Sequence, residues 1–485
     1  MNTKIIIGLL LLVAFFLNGQ DRQFWDQAVG SKGALLGGVV VGGIRDYSAT
    51  YYNPGALGFL TKSSLSVNFN AYGIKDFQFI NGGGPDIDSR YTRVSLYPAS
   101  LAGPLSFMGD STNRFSYMIY CNGYSYVRVS ERYEGYKDVI PTRQVGTEDF
   151  FVGDELLINQ GKIDVLLTEV SVGFGYSKKV SDNVGLGVSL IGAYRDQTKW
   201  RYESYAAFDT ANQRTATTDV YIDIDYWAVR FAMKFGIAVE WEKLNFGATI
   251  TTPSLAMKFA SGGTDYASFM SNNVVVDTTT GYPIDILASD RQEGLPVSYK
   301  SPFSIAAGVE YILSEDTKVH LAVEWFTPLS TYVVMQPESG DFIINETTDA
   351  ENINSEDILK VYDAMKNVFN VGIALEQKVT DQFTGYAAIR TDFSNADYEE
   401  IHGLTIGYTD WNNYHFTLGT SLEMNDTFIG IGFEYTYGQR SDFPQVFNFP
   451  SGTVELGDKF LFNPRGTCEA IYNNFNLFFG VTQLL

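Results

Sequence analysis

The chain has 485 residues, of which 15% are aromatic and 46 are glycine, and its formal net charge is −22. This acidic balance argues against a nucleic-acid partner, because phosphate binding needs clustered Lys and Arg. The chain contains two cysteines and three scattered histidines. These numbers argue against a disulfide framework, a metal-centred function or a bound cofactor.

Residues 1–20 predict a secretory signal peptide. Lys4 supplies the positive charge, residues 5–17 form an apolar core, and polar residues follow. Because the core is too short to span a bilayer as a helix, we expect cleavage near Gly19 or Gln20. No later segment has 18 consecutive apolar residues, so the sequence predicts no transmembrane helix.

From about residue 63 to the end, apolar residues recur at every second position, which is the period of a β-strand. In 226–241 one face is apolar and the other is small or polar; the apolar face consists of Trp227, Val229, Phe231, Met233, Phe235, Ile237, Val239 and Trp241. A soluble β-sandwich would alternate in the same way. Strands of about ten residues that end in Trp or Tyr, with connections alternately short and long, favour a membrane barrel.

The connections give the strand number. Short turns are expected at 108–113, 181–183, 242–243, 314–316, 380–382 and 425–426, and long loops at 73–90, 131–161, 197–218, 253–299, 328–366, 394–411 and 438–470. They predict an all-β fold, a 14-stranded antiparallel transmembrane β-barrel with periplasmic turns and extracellular loops. No strand edge can stay unpaired in hydrocarbon, so the last strand, 471–483, should pair with the first, 63–72.

A barrel of this size is too wide for its wall side chains to fill, and residues 21–62 are available as a plug. Their glycine-rich stretch, 29–44, suits compact elements inside a lumen, although an extra strand or a linker is also compatible. The predicted division is therefore a signal peptide at 1–20, an N-terminal hatch at 21–62 and the barrel at 63–485.

The segment from Tyr47 to Leu57 contains Tyr-Tyr-Asn-Pro-Gly directly ahead of the first strand. With the signal peptide, the glycine-rich stretch and the strand count, it resembles the hatch of the FadL/TodX family of outer-membrane transporters, the long-chain fatty acid transport proteins. Asn53 and Pro54 match the family's Asn-Pro-Ala motif, and Gly55 departs from its alanine.

The resemblance implies a multi-pass channel in the bacterial outer membrane for hydrophobic molecules such as long-chain fatty acids or aromatic hydrocarbons. Movement of the hatch at Asn53, Pro54 and Gly55 would gate it, and a defect in a barrel strand would open the wall. Two positions are candidates for such a defect, Gly103-Pro104 and Asn122-Gly123. The alternative at either position is an ordinary strand end or bulge. We expect the barrel to contact membrane lipid and lipopolysaccharide. The extracellular loops are long enough to bind a protein partner.

The alternative function is a structural or shuttle component of a protein-secretion system, as some barrels of this family are. An enzyme is not expected, because the sequence has no Gly-x-Ser-x-Gly motif and two of its three histidines, His320 and His415, lie in predicted strands.

Two sets of residues are candidates for contact with cargo or hatch. Residues 354–366 predict an amphipathic helix, whose apolar side chains would form an external ligand groove with loop residues; the set is Phe269, Met270, Ile358, Leu359, Tyr362 and Met365. Inward-facing charged residues would form a polar lower lumen; they are Glu169, Arg230, Lys234, Glu310, Glu324, Glu376 and Glu434. An acidic lumen would repel a fatty carboxylate, which favours neutral cargo or a carboxylate held by one cation.

Overall fold

A computed structural model describes residues 22–105, 113–140, 144–145, 147–276, 282–340, 343–344, 354–398, 401, 403–449 and 466–485. Its helices are α1 (Ser31–Leu35), α2 (Ala49–Tyr52), α3 (Ser355–Leu359) and one 3-10 helix, Pro54–Phe59. Its strands are β1 (Ser64–Gly84), β2 (Ile87–Pro104), β3 (Asn113–Lys137), β4 (Gln144–Val145), β5 (Glu148–Asp149), β6 (Glu155–Ser181), β7 (Val184–Asp209), β8 (Arg214–Glu240), β9 (Leu244–Thr251), β10 (Leu255–Val276), β11 (Pro283–Leu295), β12 (Ser304–Ile312), β13 (Thr317–Phe326), β14 (Leu329–Met335), β15 (Ile343–Ile344), β16 (Val361–Met365), β17 (Val368–Lys378), β18 (Phe383–Asp392), β19 (Leu404–Thr405), β20 (Asn412–Met424), β21 (Thr427–Pro444) and β22 (Thr467–Leu484). The predicted signal peptide and most of the predicted turn at 108–113 lie outside the described residues.

The sheet closes on itself as a 14-stranded antiparallel barrel, which confirms the predicted fold class. β9 and β10 together make one wall strand, because both pair with β8, and β11 and β12 pair with them to make the next. The closing pair joins β1 to β22, from Ser64 opposite Leu484 to Ile80 opposite Glu469. Every strand edge at membrane depth therefore has a neighbour except along part of one seam described below.

The outer face of the wall is apolar at every second residue. On β17, Phe369, Val371, Ile373 and Leu375 are exposed, whereas the intervening Asn370 is buried. On β7 and β8 the exposed Tyr194 and Trp227 stack, with ring centroids 6.3 Å apart, at the upper edge of this apolar band. Side chains that point outward are thus suited to lipid, with aromatic rings at the interface.

The predicted long loops at 73–90, 197–218 and 253–299 are mostly strand. β6 and β8 each run for 27 residues, β1 and β2 are separated by two residues where a loop at 73–90 was expected, and β7 continues to Asp209 through the predicted loop at 197–218. The prediction was wrong there because the outward side chains above the lipid band are polar or charged. The apolar alternation therefore stops while the backbone pairing continues.

Residues 22–60, hereafter the N-terminal segment, pack against the inner faces of the wall strands. Their apolar side chains share a buried cluster with small wall residues such as Ala306, Ala322 and Ala374. Higher in the barrel a second cluster fills the interior beneath Phe447 and Phe449, whose N–H groups donate to Gly82 and Gly83 at the tip of β1.

Two further observations concern the described part of the chain. None of its helices has the length and apolarity needed to cross a membrane. Cys121 in β3 and Cys468 in β22 are not joined by a disulfide.

Candidate gate and cavity in the barrel lumen

The Asn-Pro-Gly turn is fixed by a network around Asn53, which is fully buried. Its side-chain amide donates to the carbonyls of Val41 (3.0 Å) and Ile237 (2.9 Å), and its Oδ1 accepts from the N–H of Gly55 (3.1 Å). Asn53 thereby caps the 3-10 helix, and Pro54 occupies the first helical position, where a missing N–H does no harm. One side chain holds the turn together and ties it to β8.

The wall opposite this turn is lined by glycines on two adjacent strands, β7 and β8. A methyl group at Gly185, Gly187 or Gly236 would overlap the backbone or side-chain atoms of Asn53, Pro54 or Gly55. Conversely, a methyl group on Gly55 would lie 2.8 Å from the carbonyl oxygen of Gly236 and 2.9 Å from that of Gly185. The turn therefore touches the wall backbone directly, and residue 55 has no room for the family's alanine.

A second tie joins α1 to the opposite wall. The ammonium of Lys32 lies 3.0 Å from both carboxylate oxygens of Glu376. Burial alone would lower the pKa of Lys32, but the Glu376 carboxylate and its neighbours outweigh burial and raise this pKa well above its usual range. Lys32 is a charged residue within an apolar, glycine-rich stretch, and that contrast was the sequence signal for a buried partner.

Glu310, His320 and Glu376 form the one group of potential metal ligands found among the described residues, with ligand atoms within 4.8 Å of one another. Lys318 lies 4.0 Å from Glu310 and 3.8 Å from Glu376, and Lys32 binds Glu376 directly. Two ammonium groups already balance the two carboxylates. We therefore interpret the group as an ion-pair cluster between segment and wall.

Above the turn, the segment and the wall enclose a cavity of about 200 Å³. Aromatic rings form much of its surface, among them Trp25, Tyr51, Tyr120 and Tyr299. Charged groups also line it: Glu169, Arg195, Arg230, Lys234, Glu324 and Arg390. Cations outnumber carboxylates in this lining, so the expectation of an acidic lumen was wrong at the cavity. The cavity is therefore partly polar.

Each predicted lumen residue pairs with another wall side chain or with the N-terminal segment; Glu310, for example, accepts from Asn245 (2.5 Å). Glu169 binds both Arg195 (3.1 Å) and Arg230. Lys234 donates to the Tyr51 carbonyl (2.8 Å), and Trp25 donates its indole N–H to Glu324 (2.7 Å).

Sequence reasoning missed the partners of this network. Arg195 and Arg390 lie on inward positions of β7 and β18, and Arg390 binds Glu434 (3.1 Å) and the Gly37 carbonyl (2.6 Å). The two-residue alternation of apolar residues in these strands already predicts that both arginines face inward, so the sequence could have identified them as lumen residues. Pairing them with Glu169 and Glu434 required the register of neighbouring strands.

The wall has a seam between β2 and β3. These strands pair only from Ser100 opposite Tyr120 to Pro104 opposite Ser116. Above that point β2 pairs with β1 alone and β3 with β6 alone, so residues 87–99 and 121–137 face each other without backbone pairing.

The seam begins where β3 is irregular, with a register shift between Cys121 and Gly123. Asn122-Gly123 is therefore a bulge at a break in pairing, whereas Gly103-Pro104 lies within the paired end of the strand. Side chains cross the seam: Tyr126 contacts the ring of Tyr91 (5.8 Å) and the guanidinium of Arg93 (4.3 Å). At its lower end Tyr120 meets Tyr51 of the N-terminal segment, with ring centroids 4.9 Å apart.

The predicted external ligand set is not brought together. α3 ends at Leu359, and β16 follows it and pairs with β14, so the predicted helix over 354–366 was wrong beyond its first five residues. Asn354 does cap that helix, by accepting from Glu356. The rest forms a strand because β14 offers it an edge, and local helix propensity does not decide the structure of so short a segment.

The six residues of the set lie in different surroundings. Met365 is in the lining of the cavity, and the other five are absent from it. Leu359 is buried against Ala267 and Ala288 of the wall, while Ile358 and Met270 are exposed to the outside. Phe269 faces the opposite side of β10 from Met270, and Tyr362 packs against Gly403.

Comparison with solved structures places this architecture among known barrels. The chain is similar to a FadL homologue from Pseudomonas aeruginosa, with a TM-score of 0.53, 12% identity and coverage of 97% of this chain and 99% of that one. It is also similar to the P. putida toluene transporter TodX (TM-score 0.51, 11% identity, 94% and 99% covered). A third is the monoaromatic hydrocarbon channel CymD (TM-score 0.50, 11% identity, 94% and 98% covered).

No protein-family model matches the chain, and no curated protein matches it by sequence. At these identities the structural likeness establishes the fold, which is that of the FadL-type outer-membrane barrels. With its apolar outer band, the protein is an outer-membrane barrel, as the sequence predicted.

Proposed function

We propose that the protein takes up hydrophobic small molecules across the outer membrane and that residues 22–60 act as its hatch. The solved barrels of this fold named above include channels and transporters for hydrocarbons, which supports transport rather than catalysis. The observation that carries the proposal is the position of the seam. Tyr120, at its lower end, lines the cavity and also contacts Tyr51 of the hatch.

A route follows from this arrangement. Cargo enters the cavity, the hatch moves away from Tyr120, and cargo leaves sideways between β2 and β3. Lateral exit suits an apolar molecule, because passage through water is penalised by about 25 cal/mol for each Å² of exposed apolar surface. The unpaired edges above Ser100 and Tyr120 give the wall a place that opens without breaking backbone hydrogen bonds.

The size of the cavity favours a particular cargo. A dry protein cavity of about 150 Å³ holds benzene, so the space of about 200 Å³ found here fits a single substituted ring better than a long acyl chain. The rings of Tyr51, Tyr120 and Tyr299 offer stacking surfaces. We therefore favour monoaromatic hydrocarbons over long-chain fatty acids.

A disulfide between hatch and wall tests the gate. The hydroxyls of Thr50 and Ser116 lie 2.7 Å apart, so the variant Thr50→Cys/Ser116→Cys places two thiols within bonding reach, in a background in which Cys121 and Cys468 are serine. Uptake of radiolabelled toluene by intact cells should fall at least tenfold under oxidising conditions and recover when dithiothreitol is added.

The matched control is Thr218→Cys/Ser271→Cys, whose hydroxyls lie 3.3 Å apart on two wall strands, β8 and β10. This bond leaves the hatch free, so uptake should not respond to oxidation. If the hatch cross-link forms and uptake continues at the original rate, the hatch is not the gate.

A further inference from the structure

An aromatic chain runs across the outer face of the barrel above the lipid band. Trp200 and Tyr202 of β7 stack with centroids 6.3 Å apart, Trp200 meets Tyr221 of β8 at 5.7 Å, and Tyr221 meets Tyr266 of β10 at 5.0 Å. All four rings, hereafter the aromatic platform, are partly exposed. They belong neither to the cavity nor to the hatch.

Charged side chains stand beside the platform in the same outward rows. Asp164 and Asp223 are the strand neighbours of Trp200, and Asp223 is also opposite Tyr266. Lys162 lies 4.5 Å from the Trp200 ring centroid, and both Lys162 (2.7 Å) and Arg128 (2.6 Å) bind Asp164. Arg291 is opposite Tyr266, and the Tyr202 hydroxyl donates to Asp219 (3.4 Å). Three cations thus balance three carboxylates at the edge of the rings.

The height of the platform separates it from the interfacial girdle. Trp227, which stacks on Tyr194 at the upper edge of the apolar band, lies four residues along β8 from Asp223. At about 3.3 Å per residue and a tilt of about 40°, the platform is roughly 10 Å above those girdle rings. Rings of the girdle contact lipid headgroups, whereas this second tier lies beyond them.

We propose that the platform binds the saccharide chain of the glycolipid in the outer leaflet. Sugar rings present a C–H face to aromatic rings and hydroxyls to neighbouring charged groups, and the platform offers both kinds of surface. The rings follow one another at 5.0–6.3 Å, close to the length of one sugar unit. A phosphate would require an excess of cations, and the charges here cancel.

The test uses core oligosaccharide released from the host's own lipopolysaccharide, titrated into the full-length protein in phospholipid nanodiscs. The variant Trp200→Ala/Tyr221→Ala should bind the oligosaccharide about tenfold more weakly than the unmodified chain, since it removes the two central rings. The matched control, Phe416→Ala/Tyr435→Ala, removes another stacked outward pair, 6.3 Å apart on β20 and β21, and should bind normally.

Competition identifies the source of binding. Inorganic phosphate and lipid A that lacks the core oligosaccharide should not displace the oligosaccharide. Displacement by either one, an affinity that does not change in Trp200→Ala/Tyr221→Ala, or no binding by the unmodified chain would overturn the proposal. Toluene uptake by the platform variant should stay normal, which separates this inference from the transport function.

Discussion

Gly55 lies directly against the wall backbone, and its lack of a side chain is a requirement of this barrel. In Gly55→Ala the new methyl would lie 2.8–2.9 Å from three backbone atoms of β7 and β8. We expect this overlap to destabilise the closed hatch by about 1–3 kcal/mol, the usual range for overpacking. Ion conductance in planar bilayers should rise, because the displaced turn leaves a water path.

Gly385→Ala, in β18, is the comparison. Its methyl would meet no atom nearer than the Gln377 carbonyl oxygen, at 3.9 Å, which is an ordinary contact. Conductance should change little. Equal effects of the two substitutions would show that the contact at Gly55 has no special role.

At the scale of single residues, the sequence predicted the Asn-Pro-Gly motif but not the wall residues that it contacts. The Asn-Pro-Gly turn was recognisable, and the cap by Asn53 follows from its place before a proline. The glycines that receive the turn, such as Gly187 and Gly236, come from distant strands. Only the register of those strands places them opposite the turn.

Among the larger elements, α1 is held by one ion pair whose strength can be measured. Lys32→Met leaves the carboxylate of Glu376 with less compensation, so we expect the N-terminal segment to lose about 1–3 kcal/mol of local stability. This range is below that for a fully buried pair, because the Lys32 side chain is 23% exposed. Hydrogen exchange of residues 30–44 measures the loss.

A double-mutant cycle separates the pair from its surroundings. Lys32→Met/Glu376→Gln should be less destabilised than the sum of the two single variants, because Lys318 and Glu310 remain as a balanced pair. Lys62→Met, at an exposed position just after the segment, should leave exchange unchanged. Additive effects of the two single changes would show that the pair does not hold α1.

Strand number followed from the alternation of short turns and long loops, and the position of each strand followed from the period that outward lipid contact imposes over each membrane crossing. The length of the strands could not be predicted from this period. Above the band the outward faces carry Arg128, Asp164 and Asp223, and the apolar signal vanishes although pairing continues. The bulge at Asn122 was a candidate from its Asn-Gly dipeptide, but the missing β2–β3 pairing above it is a long-range property with no local sequence signal.

For the molecule as a whole, the lipid band predicts that an outward arginine destabilises the barrel more at the middle of the band than at its rim. Leu418 is 62% exposed near the middle of β20, and Leu418→Arg should destabilise the folded barrel by about 2–4 kcal/mol. Val379, 70% exposed at the end of β17, lies at the rim, and Val379→Arg should cost about 0–1 kcal/mol. Urea unfolding in lipid vesicles, followed by tryptophan fluorescence, measures both, and equal losses would contradict the placement of the band.

The pairing of β1 with β22 also constrains biogenesis. The N–H of Leu485 donates to the carbonyl of Ser63, so the end of β22 is bonded to the start of the wall. The export machinery must therefore hold an open, unsealed sheet until β22 has left the ribosome and crossed the inner membrane. A nascent chain that stops before Thr467 would lack β22 and would present two bare edges to whatever chaperone escorts it.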